Sequence, residues 1–173
     1  VKGAAKARTR NDSISWNDLR AMRKAWPHTL IVKGILSAKD AVLAADCGAD
    51  GIIVSNHGGR NLHGAVAPIE VLPEIADAVG GRITVLVDSR FLRGSDVLKA
   101  LALGAKAVLL GRAPLYGLTV AGEAGAKRAL TIFREEIDRV MALIGCNSFD
   151  ELNTDFLRPS TSAVPKMVIR RSR

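Results

Sequence analysis

Aromatic residues are scarce: two tryptophans, one tyrosine and four phenylalanines make up 4% of 173 residues. The interleaved basic and aromatic surface on which nucleic-acid bases stack is therefore not expected. Cysteine is scarcer still. Cys47 and Cys146 lie far apart, with no metal-ligand spacing. They read as two reduced, buried thiols of a cytoplasmic protein, with no disulfide framework and no metal site. No apolar run is long enough to span a bilayer. No apolar segment follows the basic N-terminus as a signal peptide requires. The chain opens on Val1 rather than Met, so a preceding segment is expected. Acidic residues are missing from both ends. Lys2, Lys6, Arg8 and Arg10 lie at the start, and Lys166, Arg170, Arg171 and Arg173 at the finish. These eight match the formal net charge of +8, so the body between them is electrically balanced. No nucleic-acid partner follows from such a distribution. Residues 1–12 read as a basic, flexible lead-in, 13–158 as one folded body and 159–173 as a basic tail.

What is present is a hydrophobic fraction of 48%, enough for a sizeable core. Ser15 is placed to cap a helix over Trp16–Ala25. Its stripe of Trp16, Leu19, Met22 and Trp26 is expected in the core. Leu30–Val32 reads as a strand ending at Lys33-Gly34. Ser37 is placed to cap a helix from Ala38 to Cys47, closed by Gly48. Gly51–Val54 follows as a strand, Pro68–Val79 as a helix and Ile83–Val87 as a strand. Ser95 is placed to cap a helix running to Leu103, and Ala107–Leu110 reads as the fourth strand. Gly122–Gly125 reads as a turn before an amphipathic helix, Ala126–Ile144. Phe149–Leu157 reads as a short helix or turn. Strands alternating with helices predict an α/β fold of parallel βαβ units. The pattern also repeats. Leu30-Ile31-Val32 aligns with Leu86-Val87-Asp88, Asp40 with Asp96, Gly48-Ala49 with Gly104-Ala105, and Ile52-Ile53-Val54 with Val108-Leu109-Leu110, all at one constant offset. Duplication by pairs of βα units predicts a TIM (β/α)8 barrel, of which four strands would make half.

Chemistry in such barrels sits where strands end at their C-termini. Each strand end here carries polar groups: Lys33; then Ser55, His57 and Arg60; then Asp88 and Ser89; then Gly111 and Arg112. An imidazole at His57 can take a proton near neutral pH. Three positions on, the Arg60 fork can hold a carboxylate through paired hydrogen bonds. Gly111-Arg112 can offer a backbone N–H and a guanidinium to a phosphate. Asp88 suits the hydroxyls of a sugar or sugar alcohol. Taken singly, each has a plainer explanation: a solvated loop histidine, a turn-capping aspartate, a surface ion pair. All four strand ends would point to the same face, which favours a site.

Several strings resemble one family. They are Val32-Lys33-Gly34, Ser55-Asn56-His57-Gly58-Gly59-Arg60, Gly94-Ser95-Asp96, the run Lys99 to Ala105, the run Ala107 to Arg112, and Leu115-Tyr116-Gly117-Leu118. Together they resemble the C-terminal half, strands 5–8, of the FMN-dependent α-hydroxy acid dehydrogenases and oxidases. The resemblance runs from about Trp16 to Leu157, and the Ser-Asn-His-Gly-Gly-Arg string is highly specific. Ile144-Gly145-Cys146 resembles the mandelate dehydrogenases, and Leu72 to Val79 the L-lactate dehydrogenases. This resemblance implies FMN as cofactor and oxidation of a small L-2-hydroxy acid, lactate- or mandelate-like, to the 2-oxo acid. The electron acceptor stays open between oxygen, quinone and cytochrome. By the same resemblance His57 is the active-site base and Arg60 the carboxylate clamp. Lys33 lies beside the flavin N1 and C2 carbonyl, Ser55 contacts the flavin, Asp88 the ribityl chain, and Gly111 and Arg112 the phosphate. Ser89 and Arg90 complete the cofactor-binding set. A homo-oligomer is expected, cytoplasmic or, in a longer form, peripheral to the inner face of the membrane.

The sequence also departs from the family. Where the family reads Asp-Gly-Gly or Asp-Ser-Gly, a variable residue and then Arg, this chain has Asp88-Ser89-Arg90-Phe91-Leu92. Arg90 then either crowds a backbone phosphate contact or supplies the guanidinium lost at Leu92. His63 stands where the family has an aspartate. The first four strands, with a substrate-binding tyrosine and an aspartate that orients the histidine, are expected to be missing. The alternative is a catalytically incomplete half-barrel that binds FMN or phosphate, or self-associates, without turnover. An isomerase on a sugar phosphate would need a second acid–base carboxylate near His57, for which the sequence offers no candidate.

Overall fold

The structure, a computed structural model, describes residues 14–158. The basic lead-in and the basic tail lie outside the described residues. Four strands form one sheet: β1 (Ile31–Ile35), β2 (Gly51–Val54), β3 (Thr84–Val87) and β4 (Ala107–Val108). Their order in space is their order in sequence, and every neighbouring pair is parallel. Parallel neighbours need a crossover, and each is a helix: α2 (Ala38–Asp46), α3 (Pro68–Val79) and α4 (Gly94–Ala102). α1 (Trp16–Ala25) precedes the sheet and α5 (Arg112–Ile144) follows it. Single 3₁₀ turns occupy His57–Gly59, Phe149–Glu151 and Thr154–Phe156. The expected α/β fold with a parallel sheet is observed. Since all four strands run the same way, their C-terminal ends share one edge of the sheet.

The core explains the local choices. β2 is buried along its whole length, as a central strand of a parallel sheet is. Its Ile52 and Val54 meet Val85 and Val87 of β3, Ala41 and Ala44 of α2, and Leu72, Ile75 and Val79 of α3. Full burial of a side chain such as Leu72 or Ile75 contributes about 1.5–3 kcal/mol. Both cysteines are buried, as read from the sequence. Among the described residues no helix is long and apolar enough to cross a membrane.

Several boundaries differ from the sequence reading. β1 does not stop at Val32. Gly34, at φ +105°, absorbs a register shift between Lys33 and Ile35, and the strand resumes beyond it. β4 is shorter than expected; among the described residues only β3 pairs with it. Ser95 does not cap α4; it lies inside the first turn, and Asp96 accepts the backbone N–H groups of Leu92 and Arg93 instead. At α1 the Ser15 hydroxyl donates to Asp18, which also accepts the Ser15 backbone N–H (2.7 Å each). Ser37 does cap α2, accepting from the Asp40 N–H. Residues 112–120 are helical, joined to the expected later helix across a break at Ala121 and Gly122. Of the α1 stripe, Leu19 is buried and Trp16 packs against the core, but Met22 and Trp26 are about half exposed.

Candidate functional site

The shared edge of strand ends holds a connected polar network. Lys33, within β1 just before its register shift at Gly34, donates from Nζ to Asp88 Oδ2 and to Ser55 Oγ, both at 2.7 Å. Asp88 ends β3, and Ser55 ends β2, so one lysine ties three strands together. Ser55 is the sole buried polar residue among the described residues (1% exposed), and its hydroxyl also accepts the His57 backbone N–H at 3.1 Å. Burial alone would raise the Asp88 pKa. Hydrogen bonds from Lys33, Ser55 and Ser89, with the Lys33 charge, outweigh it and hold the carboxyl below its ordinary value.

The loop after β2 is shaped locally. Asn56 Oδ1 accepts the Gly59 N–H, and Asn56 Nδ2 donates to the Val66 carbonyl. An asparagine closing a short turn in this way is what its side chain is suited to. His57 itself sits at φ +57°, in the left-handed region, followed by Gly58 at +70° and Gly59 at +74°. Its ring lies over Gly34: a Cβ on that glycine would stand 2.9 Å from His57 Cε1. Arg60 Nε donates to the His57 carbonyl at 3.3 Å, so the arginine folds back beside the histidine.

The loop after β3 carries two more left-handed residues, Ser89 (φ +82°) and Arg90 (φ +64°). Each such non-glycine residue costs about 1–2 kcal/mol, and strain of this kind collects at functional sites. The Ser89 hydroxyl donates to Asp88 Oδ1 at 2.8 Å and accepts the Gly58 N–H at 3.1 Å. On its other side the Gly58 carbonyl accepts Arg112 Nη2 at 3.2 Å. Gly58 thus bridges the β3 loop and the start of α5.

These groups enclose an open cleft of about 620 Å³, lined by Lys33, His57, Arg60, Asp88, Ser89, Arg90, Gly111 and Arg112, with Leu109, Leu110 and Leu115. That size is typical of a small-molecule or cofactor site. Its charge is lopsided. Four cations face one carboxylate, and Lys33 already pairs with it. The donor set fits a ligand carrying a phosphate at one end and an acidic substrate beside it, with apolar wall from the three leucines. FMN meets that description. A Cβ on Gly111 would meet nothing within 4 Å, leaving the start of α5 open to such a group. No cluster of metal-ligating side chains occurs among the described residues.

All nine residues singled out in the sequence therefore gather at the strand ends: eight line the cleft, and Ser55 lies directly beneath Lys33 and His57. Sequence reasoning missed Asn56 as the organiser of the His57 loop, although its turn preference was a usable signal. It also missed Glu136 on α5, which accepts the Gly94 N–H at 2.7 Å and pairs with Arg93, holding the start of α4. Nothing in the sequence links positions so far apart.

Comparison with known proteins places these residues in context. Residues 2–159 match the FMN-dependent dehydrogenase family. The (S)-mandelate dehydrogenase of Pseudomonas putida is 50% identical over 158 residues, covering 91% of this chain and 40% of that protein. An L-lactate oxidase of Nostoc sp. is 46% identical over 147 residues, covering 85% of this chain and 40% of that one. The solved structure of a soluble mutant of the membrane-associated mandelate dehydrogenase from Pseudomonas putida superimposes with a TM-score of 0.84 at 51% identity, over 88% of this chain and 43% of that one. The chain spans about two-fifths of the length of these relatives.

Proposed function

We propose that this chain, which belongs to the FMN-dependent dehydrogenase family, carries the catalytic base, the substrate clamp and the phosphate end of the flavin site of an enzyme that oxidises a small L-2-hydroxy acid to its 2-oxo acid. The observation that carries the reading is the convergence of His57, Arg60, Lys33, Asp88 and Arg112 on one cation-rich cleft. Arg60 holds the substrate carboxylate. His57, whose backbone carbonyl accepts Arg60 Nε, takes a proton from that substrate. Its side chain lines the cleft, on a residue whose backbone is left-handed. Lys33 keeps a positive charge at the centre of the strand ends, fixed by Asp88 and Ser55. Such preorganised charge is worth most where negative charge develops during reaction. Asp88 and Ser89 offer acceptors to a polyol chain, and Gly111 and Arg112 offer donors to a phosphate. FMN, when bound, supplies the two-electron acceptor of the oxidation.

The four strands correspond in this reading to strands 5–8 of a (β/α)8 barrel. β1 and β4 each have one edge with no partner among the described residues, and Ile31 and Leu109 beside those edges are exposed. Both features support a larger closed sheet, since unpaired edges are a liability. Exposed Val120 and Leu143 on α5 support the expected homo-oligomer. Residues 13–158 form the barrel portion, between the basic lead-in and tail. A cytoplasmic or peripheral setting, and an electron acceptor of its own, belong to the same proposal.

The test is anaerobic mixing of the FMN-loaded chain with L-lactate and with (S)-mandelate, following flavin absorbance, alone and with the remaining strands supplied by a relative. Bleaching in the complemented protein is expected. His57→Asn should abolish it while leaving FMN bound, and Arg60→Ala should raise the substrate concentration needed at least tenfold. Bound flavin that no 2-hydroxy acid bleaches, even after complementation, would overturn the catalytic reading and leave a binding module.

A further inference from the structure

His57, Gly58 and Gly59 are left-handed one after another, at φ +57°, +70° and +74°. Glycine adopts that region freely and histidine does not, so residue 57 keeps such a backbone only where its surroundings hold it. Three side-chain oxygens do the holding, one for each N–H of the turn. Ser55 Oγ accepts from His57, Ser89 Oγ from Gly58 and Asn56 Oδ1 from Gly59, each at 3.1 Å. Ser55 and Ser89 are themselves fixed by the strand-end network, through Lys33 and Asp88.

Asn56 stands outside that network and works at both ends of its amide instead. Oδ1 closes the turn on Gly59, and Nδ2 donates to the Val66 carbonyl at 3.2 Å, on the far limb of the loop. Arg60 closes the same turn from the other side, through Nε to the His57 carbonyl. The two closures overlap: Asn56 reaches forward past His57 and Gly58, and Arg60 reaches back past the two glycines. The spacing of imidazole and guanidinium therefore depends on a side chain that does not itself line the cleft. Both its acceptor and its donor are in use, a combination that a carboxylate, a hydroxyl of this reach or an aliphatic group does not supply.

We propose that Asn56 is the positioning residue that sets His57 and Arg60 on one substrate molecule: Oδ1 holds the imidazole through the left-handed turn, and Nδ2 holds the guanidinium through the far limb of the loop. As a role in catalysis this rests on the reading of His57 and Arg60 given above. The two ends of the amide then control different quantities. Without Oδ1, residue 57 relaxes and the base leaves the proton it must take, so the rate at saturating substrate falls. Without Nδ2 alone, residues 60–66 loosen and the clamp weakens, so more substrate is needed to reach half that rate.

The experiment compares the parent with Asn56→Ala, which loses both groups, and Asn56→Ser, whose hydroxyl can accept at the start of the turn but does not reach Val66. On each chain alone, hydrogen exchange at the Gly59 N–H, the His57 ring resonances and a thermal melt are recorded. On each FMN-loaded chain, complemented as above, anaerobic bleaching is followed over a range of L-lactate or (S)-mandelate, whichever the parent turns over. Asn56→Ala should exchange Gly59 faster, shift the His57 resonances and bleach about tenfold to hundredfold more slowly at saturation. Asn56→Ser should recover most of that rate and keep a half-saturating concentration raised about twofold to tenfold. A lower melting temperature with parental rate and half-saturation would overturn the proposal and leave Asn56 a merely structural residue. His57 resonances that stay in place in Asn56→Ala would overturn it too, as would an Asn56→Ser chain as slow as Asn56→Ala. If the parent itself does not bleach, the catalytic reading fails instead, and Gly59 exchange with the His57 resonances still decides whether Asn56 holds the turn.

Discussion

Gly34→Ala puts one methyl group where the site has no room for it. The backbone there has φ +105°, outside what an L-residue adopts comfortably, and the new Cβ would lie 2.9 Å from His57 Cε1. The backbone strain costs about 1–2 kcal/mol. Forcing the histidine ring aside adds roughly 1–2 kcal/mol, in the range of other overpacking substitutions. The sum is about 2–4 kcal/mol, a fall in melting temperature of roughly 5–15 °C for a domain of this size. Gly111→Ala is the matched control: its φ is −107° and its Cβ would meet nothing within 4 Å. It should change stability by less than about 0.5 kcal/mol. Thermal melts of both variants read the cost, and the His57 ring resonances, which should shift in the Gly34 variant alone, read the displacement. A Gly34→Ala chain that melts with the parent and leaves those resonances in place would refute the placement of His57 over β1.

Acid should weaken the strand-end network. The Asp88 carboxyl is held below the ordinary aspartate value of 3.8, so its stabilisation is complete above that value and is lost as pH falls through the lowered pKa. Asp88→Asn should therefore be less stable than the parent at pH 7 and show a shallower loss in urea melts as pH falls below 3.8; parallel curves would contradict the assignment. In the core, Ile75→Ala removes a fully buried side chain between α3 and the sheet. It should cost about 2–5 kcal/mol in denaturant unfolding with little change in m-value.

The strand ends were legible because parallel βαβ units impose a simple rule: whatever follows each strand lies on one edge. That rule alone assigns Lys33, Ser55, Asp88 and Arg112 to a common face, and the structure joins them through Gly58 and Ser89. Local backbone geometry was not legible. Nothing in Lys33-Gly34-Ile35 says that the glycine carries a register shift rather than ending the strand. Helix 112–120 was hidden by Pro114, Gly117 and Gly122, all ordinary helix breakers. Pro114 is tolerated because it lies in the first turn, where N–H groups lack intrahelical partners in any case, and the break is deferred to Ala121 and Gly122. Met22 and Trp26 had the right spacing for a core stripe, yet both are about half exposed, and no sequence period distinguishes an uncovered face from a covered one. The left-handed turn at Arg90 was invisible for a different reason: arginine ordinarily argues against it.

In the proposed enzyme the cleft at the strand ends holds the phosphate end of FMN. Calorimetric titration of FMN into the parent chain and into Arg112→Ala, at fixed salt, tests it most directly. Binding by the parent should be micromolar or tighter, and weaker by about tenfold or more when the guanidinium is removed. A folded parent chain that does not bind FMN, or a variant that binds it equally well, would rule out a phosphate site at these strand ends.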